Sequence, residues 1–251
     1  KTVTVTAAAK TKVYGESDPE LTYTVAPALI GTDEFTGTLE RTTGENIGNH
    51  AIGQGNLTLN SNYAVTYVPA DLNITAKTVT VTAAAKTKVY GETDPELTYT
   101  VAPALIGTDE FTGTLERATG ENIGNHAIGQ GTLALNSNYA VTYVPADLNI
   151  TAKTVTVTAA AKTKVYGEAD PELTYTVAPA LIGTDEFTGT LERATGENIG
   201  DHAIGQGNLT LNSNYAVTYV PANLSITAKA VTVTAAAKTK VYGETDPELT
   251  Y

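Results

Sequence analysis

Hydrophobic and polar residues alternate along the first seven residues of the chain. Val3, Val5 and Ala7 are separated by Thr4 and Thr6. Because successive side chains of a β-strand point to opposite faces, this alternation predicts a strand with one buried face. The β-branched residues of the stretch favour the same conformation.

Similar short segments follow, separated by turn residues. They predict an extended piece over 10–14, a strand centred on 21–25, a strand over 35–41, a hairpin or bulged pair formed by 50–53 and 57–59, and strands over 63–68 and 71–76. Gly15, Pro27 and the Asn60–Asn62 stretch supply turns. The segment 28–34 is predicted to be a connection with at most one helical turn, because Pro27 and Gly31 bound it.

About seven short strands at intervals of roughly 8 to 12 residues are typical of all-β folds. The pattern therefore predicts a small antiparallel β-domain, either a sandwich or a small barrel, rather than an α/β unit. Sandwich-like, Ig-like and β-grasp-like arrangements of these strands are all compatible with the pattern.

The whole pattern repeats with a fixed period. The stretch KTVTVTAAAKTKVYGESDPELTY begins at Lys1 and returns, nearly unchanged, at Lys77, Lys153 and Lys229, every 76 residues. A fixed period indicates an array of structural units. We predict β-rich repeats at 1–76, 77–152 and 153–228, followed by the truncated start of a fourth repeat at 229–251. We expect the array to continue in a longer protein.

The junction between repeats contains no flexible linker. The last predicted strand of the first repeat runs through Ala76 directly into Lys77, without a Gly, Pro or Ser tract. So short a connection restricts the angle between neighbours, which predicts an elongated, semi-rigid rod whose repeats contact each other end to end. With a rise of about 3.3 Å per strand residue, we expect roughly 30 to 40 Å per repeat and on the order of 100 Å for three.

The three complete repeats differ at only a few positions. Those positions in the first repeat are Ser17, Thr42, Asn49, Asn56, Thr58, Asp71 and Asn73. Each is predicted to lie in a turn or on an outward face, and no predicted inward position differs. This distribution indicates recent duplication of one unit.

Composition and charge exclude several classes of function. The chain has no Cys and a net charge of −12, which is −4 for each complete repeat. Disulfides and thiolate metal sites are therefore excluded. Negative charge of this density disfavours binding to nucleic acid and to anionic lipid. No apolar run approaches membrane-spanning length, so any export signal or anchor is expected outside this stretch.

The residues that could carry catalysis are few. His50 shares a strand face with Ile52, which favours a core or half-buried structural role. Ser61 lacks the Gly-x-Ser-x-Gly context of a hydrolase nucleophile. We expect no enzymatic activity, no catalytic residue and no cofactor. Arg41 is predicted to form an ion pair with Glu45 or Asp33.

The acidic turns offer hard oxygen ligands of the kind that calcium prefers. They contain Asp18, Glu20, Asp33, Glu34 and the Asn60–Asn62 turn. No EF-hand loop or RTX-type nonapeptide is present, so solvated acidic loops are favoured over calcium sites. An isopeptide crosslink from Lys10 or Lys12 to an Asn beside a carboxylate is an open alternative with little support in the sequence.

Several segments together carry a family resemblance. They are YGESDPELTY at 14–23, FTGTLER at 35–41, GENIGNHAI at 44–52, NY at 62–63 and LNI at 72–74. The set resembles the MBG domain of the YGX type, and it spans all three repeats. His50, His126 and His202 stand where that family often has Tyr. The resemblance implies a secreted, β-rich stalk module of large bacterial surface adhesins similar to filamentous haemagglutinin, with no catalytic residues.

Two functions fit this resemblance. In the first, the array is a structural stalk that projects a distal adhesive domain from the bacterial surface. In the second, each repeat binds a host glycan or matrix protein weakly and the array acts by avidity. A binding module usually shows an exposed aromatic platform, whereas strand alternation places Tyr14, Tyr23, Tyr63 and Tyr67 mostly inward. The stalk is therefore favoured.

Overall fold

The computed structural model describes residues 1–251 and contains only β-structure. There are 21 strands and no helix, and each complete repeat contributes seven strands. The all-β tandem array predicted from the sequence is thus confirmed. No helix exists that could cross a membrane.

The strands have the following bounds. The first repeat contains β1 (Thr2–Ala7), β2 (Lys10–Val13), β3 (Tyr23–Ala26), β4 (Glu40–Arg41), β5 (Gly48–Gly53), β6 (Ala64–Val68) and β7 (Ala70–Thr75). The second contains β8 (Lys77–Ala83), β9 (Lys86–Val89), β10 (Tyr99–Ala102), β11 (Glu116–Arg117), β12 (Gly124–Gly129), β13 (Tyr139–Val144) and β14 (Ala146–Thr151). The third contains β15 (Lys153–Ala159), β16 (Lys162–Val165), β17 (Tyr175–Ala178), β18 (Glu192–Arg193), β19 (Gly200–Gly205), β20 (Tyr215–Val220) and β21 (Ala222–Thr227).

Two sheets are built from each repeat. In the first repeat the strand orders are β3-β1-β6 and β2-β7-β5-β4, and the other two repeats have the equivalent orders. β1 pairs antiparallel with β3 but parallel with β6, and β2 pairs parallel with β7. The prediction of purely antiparallel pairing is therefore wrong. Alternation identifies the buried face of a strand but not its neighbour, so it could not distinguish these arrangements.

The core lies between the two sheets of a repeat. Val5 and Ala7 from β1 join Ile52 from β5 and Leu72 from β7 in one buried cluster, against which Tyr67 of β6 packs. Because these side chains come from both sheets, the repeat is sandwich-like. The alternation of Val3, Val5 and Ala7 at the start of the chain therefore identified a true inward face.

Two local predictions are wrong. The segment 35–41 contains a strand only at Glu40–Arg41, preceded by an isolated bridge between Thr36 and Thr58. The expected hairpin between 50–53 and 57–59 does not form, because β5 pairs with β4 and β7 instead. The segment 28–34 is a connection with a turn and no helix.

The positions that vary between repeats lie on the surface. In the first repeat all seven are exposed. Some changes preserve a contact. Asn49 donates to Asp71 at 3.2 Å, and in the third repeat the two residue types are exchanged, so that Asn223 donates to Asp201 at 3.4 Å. The inward positions are identical because any change there would alter the packing of the core.

Contacts divide the chain into two compact units. Unit 1 comprises Lys1–Lys88 and Thr93–Ile150, and unit 2 comprises Val89–Glu92 and Thr151–Tyr251. Unit 1 therefore holds two successive repeats, except for six residues of the second, at 89–92 and 151–152. Within unit 2, residues 229–251 form no strand and are exposed throughout.

Candidate functional site at the repeat junctions

The junction inside unit 1 begins with a very short connection. β7 ends at Thr75 and β8 begins at Lys77, so only Ala76 lies between the two strands. The Lys77 amide donates to the Asn138 carbonyl oxygen at 2.9 Å, and the Tyr14 amide donates to the Thr75 carbonyl oxygen at 2.9 Å. The backbone on both sides of Ala76 is thereby held by hydrogen bonds.

A tyrosine of the first repeat reaches a carboxylate of the second. The Tyr14 hydroxyl donates to Asp109 Oδ2 at 2.9 Å, and the Tyr139 hydroxyl donates to the same oxygen at 2.7 Å. The rings of Tyr14 and Tyr139 meet edge to face with their centroids 5.4 Å apart. Asn136 occupies the other carboxylate oxygen at 2.9 Å. Asp109 thus joins the two repeats through charge-assisted hydrogen bonds.

An asparagine forms the other half of this junction. Asn138 Oδ1 accepts from the Ile47 amide at 2.9 Å, and Asn138 Nδ2 donates to Asn46 Oδ1 at 3.0 Å. Asn138 is only 7% exposed. Both polar ends of a buried amide are therefore satisfied by the preceding repeat, which fixes the orientation of the contact.

Gly15 allows the two repeats to approach closely. It has a φ of +85°, and a Cβ at this position would lie 2.6 Å from Ile106 Cδ1. Any side chain at this position would therefore strain the backbone and require Ile106 to shift. The Tyr-Gly pair at 14–15 thus serves the junction: Tyr14 supplies a donor and Gly15 supplies space.

The same contacts recur inside unit 2. The Tyr90 hydroxyl donates to Asp185 Oδ2 at 2.9 Å, and Tyr215 donates to the same oxygen at 2.7 Å. The rings of Tyr90 and Tyr215 are 5.4 Å apart, again edge to face. A Cβ on Gly91 would lie 2.7 Å from Ile182 Cδ1. The same contact thus forms at both junctions, in nearly the same geometry.

The shared carboxylate and the tyrosines shift each other's proton affinities. Hydrogen bonds from Tyr139 and Tyr14 hold the pKa of Asp109 below its usual value. The hydrogen bond to Asp109 raises the pKa of Tyr14. Burial raises the pKa of Tyr139. The junction is therefore electrostatically favoured when Asp109 is ionised and both tyrosines are neutral.

A buried ion network lies within each repeat. Lys12 Nζ lies 2.6 Å from Asp18 Oδ1 and 2.5 Å from Glu45 Oε2, and its side chain is only 3% exposed. Arg41 Nε lies 2.6 Å from Asp18 Oδ2, and Arg41 also pairs with Glu45. Arg41 therefore pairs with Glu45, as one of the two alternatives predicted, and with Asp18 rather than Asp33.

This network keeps its members charged. Hydrogen bonds from Arg41 and then Lys12 lower the pKa of Asp18 to about 2. Burial alone would lower the pKa of Lys12, but hydrogen bonds to Asp18 and Glu45 outweigh it and raise that pKa. An isopeptide bond from Lys12 to an Asn requires a neutral amine as nucleophile, so the ion pairs that keep the Lys12 amine protonated oppose that bond.

Two of the acidic candidate metal ligands serve other contacts. Asp18 belongs to the ion network, and Asp33 accepts from Asn60 at 2.8 Å and from the Tyr63 hydroxyl at 2.8 Å. No group of three or more His, Asp or Glu side chains converges in a geometry that could hold a metal ion. His50 is half-buried, and its Nε2 lies 2.8 Å from the Asn46 carbonyl oxygen.

Sequence reasoning did not identify the junction residues. Tyr23 and Tyr67 pack against the core as predicted, whereas Tyr14 is at the junction and Tyr63 bonds to Asp33. The equivalents of Asp33 in the later repeats are Asp109 and Asp185, which appeared in the sequence only as acidic turn residues. The recurrence of a Tyr-Gly pair in every repeat, together with the linkerless connection, was the available signal.

Comparisons with known proteins identify a family for the repeat. The family model described as MBG domain (YGX type) matches residues 3–73, 79–149 and 155–225. No match is found among curated protein sequences.

Solved structures give only distant similarities. The N-terminal four Ig domains of Dscam1 isoform 9.44, with zinc, show 14% identity and a TM-score of 0.24, over 71% of this chain and 55% of that one. The chain thus spans about half the length of that structure. Sidekick-1 immunoglobulin domains 1–4 show 11% identity and a TM-score of 0.20, over 87% of this chain and 73% of that one. At these TM-scores the structures do not define the fold of the repeat.

Proposed function

Because the chain belongs to the family of MBG domains of the YGX type, we propose that it is a structural stalk of a secreted bacterial surface adhesin. Its repeats project a distal adhesive domain from the cell and carry no catalytic activity themselves. The family match supports a structural or adhesive repeat, and the location at the bacterial surface follows from the resemblance described above.

The hydrogen bond from Tyr14 to Asp109 is the observation that carries this proposal. A stalk must hold its distal end away from the surface, which requires that neighbouring repeats do not rotate freely. In unit 1 the edge-to-face rings, the shared carboxylate and the bidentate Asn138 contact restrict rotation about Ala76. A flexible linker would instead let the distal domain fold back onto the surface.

Surface charge suits the same role. Each complete repeat has a net charge of −4, and the positions that differ between repeats are all exposed in the first repeat. Like charges on neighbouring stalks repel, which keeps a crowded surface soluble and extended. Identical inward residues let every repeat fold in the same way.

A display experiment tests the stalk role. Arrays of one, two and three repeats are placed between a bacterial surface anchor and a single-domain antibody, beneath a grafted polymer layer. We expect antigen capture to rise with the number of repeats. Replacing Tyr14 and Tyr90 by Ala should lower capture by the three-repeat array. Equal capture by all lengths would contradict a stalk.

A binding screen tests the alternative function. The three-repeat chain without any distal domain is screened against glycans and matrix proteins, beside a longer natural protein that contains it. We expect no binding by the repeats alone, because Tyr14 is used at the junction and Tyr23 and Tyr67 pack against the core. Binding that grows with repeat number would show that the repeats act by avidity.

A further inference from the structure

The residues of the first repeat that contact the second come from two irregular segments. Residues 14–18, here called the first contact segment, follow β2 and include Tyr14. Residues 42–47, here called the second contact segment, connect β4 to β5 and include Asn46. Neither segment contains a strand. Backbone outside strands satisfies its hydrogen bonds through turns and side chains. The geometry of the junction therefore depends on the side chains that hold these two segments.

Lys12 of β2 joins the two contact segments. Its amine donates to the Glu16 carbonyl oxygen at 3.1 Å and to Asp18 Oδ1 at 2.6 Å, both in the first segment. It also donates to Glu45 Oε2 at 2.5 Å, in the second segment. The three donors of an ammonium group are thereby all used. One side chain thus fixes the separation of the two segments.

Arg41 of β4 shapes the second contact segment. Its Nη1 donates to the carbonyl oxygens of Thr42 at 2.9 Å and Gly44 at 2.5 Å. Its Nε donates to Asp18 Oδ2 at 2.6 Å, and its Nη2 pairs with Glu45. Because a guanidinium is planar and presents its donors in a fixed fork, these acceptors are held in a fixed arrangement. The second segment is therefore folded around one side chain and tied to the first through Asp18.

Burial of an ammonium group is unfavourable by itself. The Lys12 side chain is only 3% exposed, and removing its charge from water has a cost in free energy that its partners must offset. A hydrophobic residue of similar size would fill the space without that cost, but it could not bond to both contact segments. The equivalents Lys88 and Lys164 are equally buried, and each lies 2.6 Å from the equivalent aspartate. The geometry that the network imposes therefore explains its presence better than the filling of space does.

We propose that Lys12 and Arg41 are the positioning residues of the junction, which hold both contact segments in the arrangement that fits the second repeat. The hydrogen bonds and ion pairs of these two side chains all lie within the first repeat. They act through Tyr14, two residues after Lys12. They also act through Asn46, which directly follows Glu45 of the network. The proposal goes beyond the stalk role, because it concerns how the contact between repeats is set, whatever the array carries.

Distances between spin labels test the proposal in the full 251-residue chain. The chain has no Cys, so Thr58→Cys in the first repeat and Ala134→Cys in the second would accept the labels specifically. These equivalent positions are exposed and already differ between the repeats. Double electron–electron resonance should give one narrow distance peak at roughly 30 to 40 Å, the length of one repeat.

Removal of the guanidinium should broaden this distribution. In Arg41→Met we expect the narrow peak to be lost, because the second contact segment no longer holds one shape. Arg41→Lys keeps the charge but not the fork, so it should also broaden the peak, and it decides the question if Arg41→Met loosens the repeat itself. Arg193→Met removes the same group from the third repeat. This matched control should keep the wild-type peak.

A second pair of labels separates an effect on the junction from an effect on the repeat. Thr24→Cys and Thr58→Cys are exposed positions of the first repeat, and the distance between their labels should be unchanged by Arg41→Lys. In a background of Tyr14→Ala with Asn138→Ala, which removes the junction contacts, Arg41→Lys should cause no further broadening between repeats. Such non-additivity is expected because the substitutions act on one contact.

Three results would overturn the proposal. An unchanged peak in both Arg41 variants, beside a narrow wild-type peak, would do so and leave the stalk role intact. Equal broadening within the first repeat, or full additivity with the junction substitutions, would assign Arg41 a role in the fold of its own repeat only. A broad wild-type distribution would contradict the stalk role as well, because no fixed junction would then exist to be positioned.

Discussion

The hydroxyl of Tyr14 lies 2.9 Å from a carboxylate oxygen of Asp109, which is 95 residues away and belongs to the next repeat. Tyr139 shares that oxygen, so one ionised side chain holds two tyrosines from two repeats. Because the repeats are nearly identical, the residues that form this junction are present in every repeat.

Removing this hydrogen bond should weaken the coupling between the first two repeats. Tyr14→Phe keeps the ring against Tyr139 but leaves Asp109 one donor short. We expect a lower urea midpoint and a broader transition, because the two repeats then unfold less cooperatively. Tyr166→Phe is the matched control, since its hydroxyl lies on an open face. Equal losses in both variants would show that the effect does not arise at the junction.

The junction should respond to pH at both extremes. The pKa of Asp109 is depressed in the folded chain, so its contribution is complete above the unfolded pKa and is lost as the pH falls through the folded value. The pKa of Tyr14 is raised, so its contribution is complete below the unfolded pKa near 10 and is lost as the pH rises through the folded value. We expect Tyr14→Phe to differ from the wild type most between about pH 5 and pH 9, measured by thermal melting. A constant difference in Tm from pH 2 to pH 11 would contradict this assignment.

Lys12 should stabilise its repeat despite its burial. Lys12→Met removes the cation that Asp18 and Glu45 share, and we expect the free energy of unfolding to fall by about 1 to 2 kcal/mol. The expected loss of stability is small for a buried amine because both carboxylates are substantially exposed, at 41% and 57%. Lys240→Met in residues 229–251, where the side chain is 46% exposed, is the control and should have no effect. A more stable Lys12→Met variant would show that the cost of burying the amine exceeds the stabilisation from its ion pairs.

Neither calcium nor a covalent crosslink is expected to hold the repeats. Asp18 and Asp33 each bond to side chains of their own repeat. We expect EGTA to change the Tm by no more than about one or two degrees. The intact mass should equal that of the sequence, without the loss of ammonia that accompanies each Lys–Asn isopeptide bond. A large fall in Tm that calcium reverses would place metal in the acidic turns.

The 76-residue frame of the repeat also predicts a deletion result. A chain that ends at residue 228 should melt almost like the full chain, because residues 229–251 add no strand to either sheet of the third repeat. Calorimetry measures this directly. Loss of one third of the unfolding enthalpy would mean that residues 229–251 complete the third domain.

The sequence predicted the strands better than their partners. Alternation at Val3 and Val5 specified a buried face because the period of a strand is two. It could not show that β1 lies parallel to β6, since pairing depends on tertiary packing. The junction was hidden for a similar reason: Tyr63 follows a strand period, so its equivalent Tyr139 looked like a core residue, and the contact of Asp109 with Tyr14 spans 95 positions.

Small-angle X-ray scattering tests the proposal, made from the linkerless connections in the sequence, that the repeats form an extended stalk. From strand lengths, the wild-type chain should have a maximum dimension on the order of 100 Å. Tyr14→Ala combined with Tyr90→Ala should give a broader and more variable distribution of distances, as freely rotating repeats would. A wild-type chain with the dimensions of an ordinary compact globule of 251 residues, or one that scatters like the double variant, would contradict the claim.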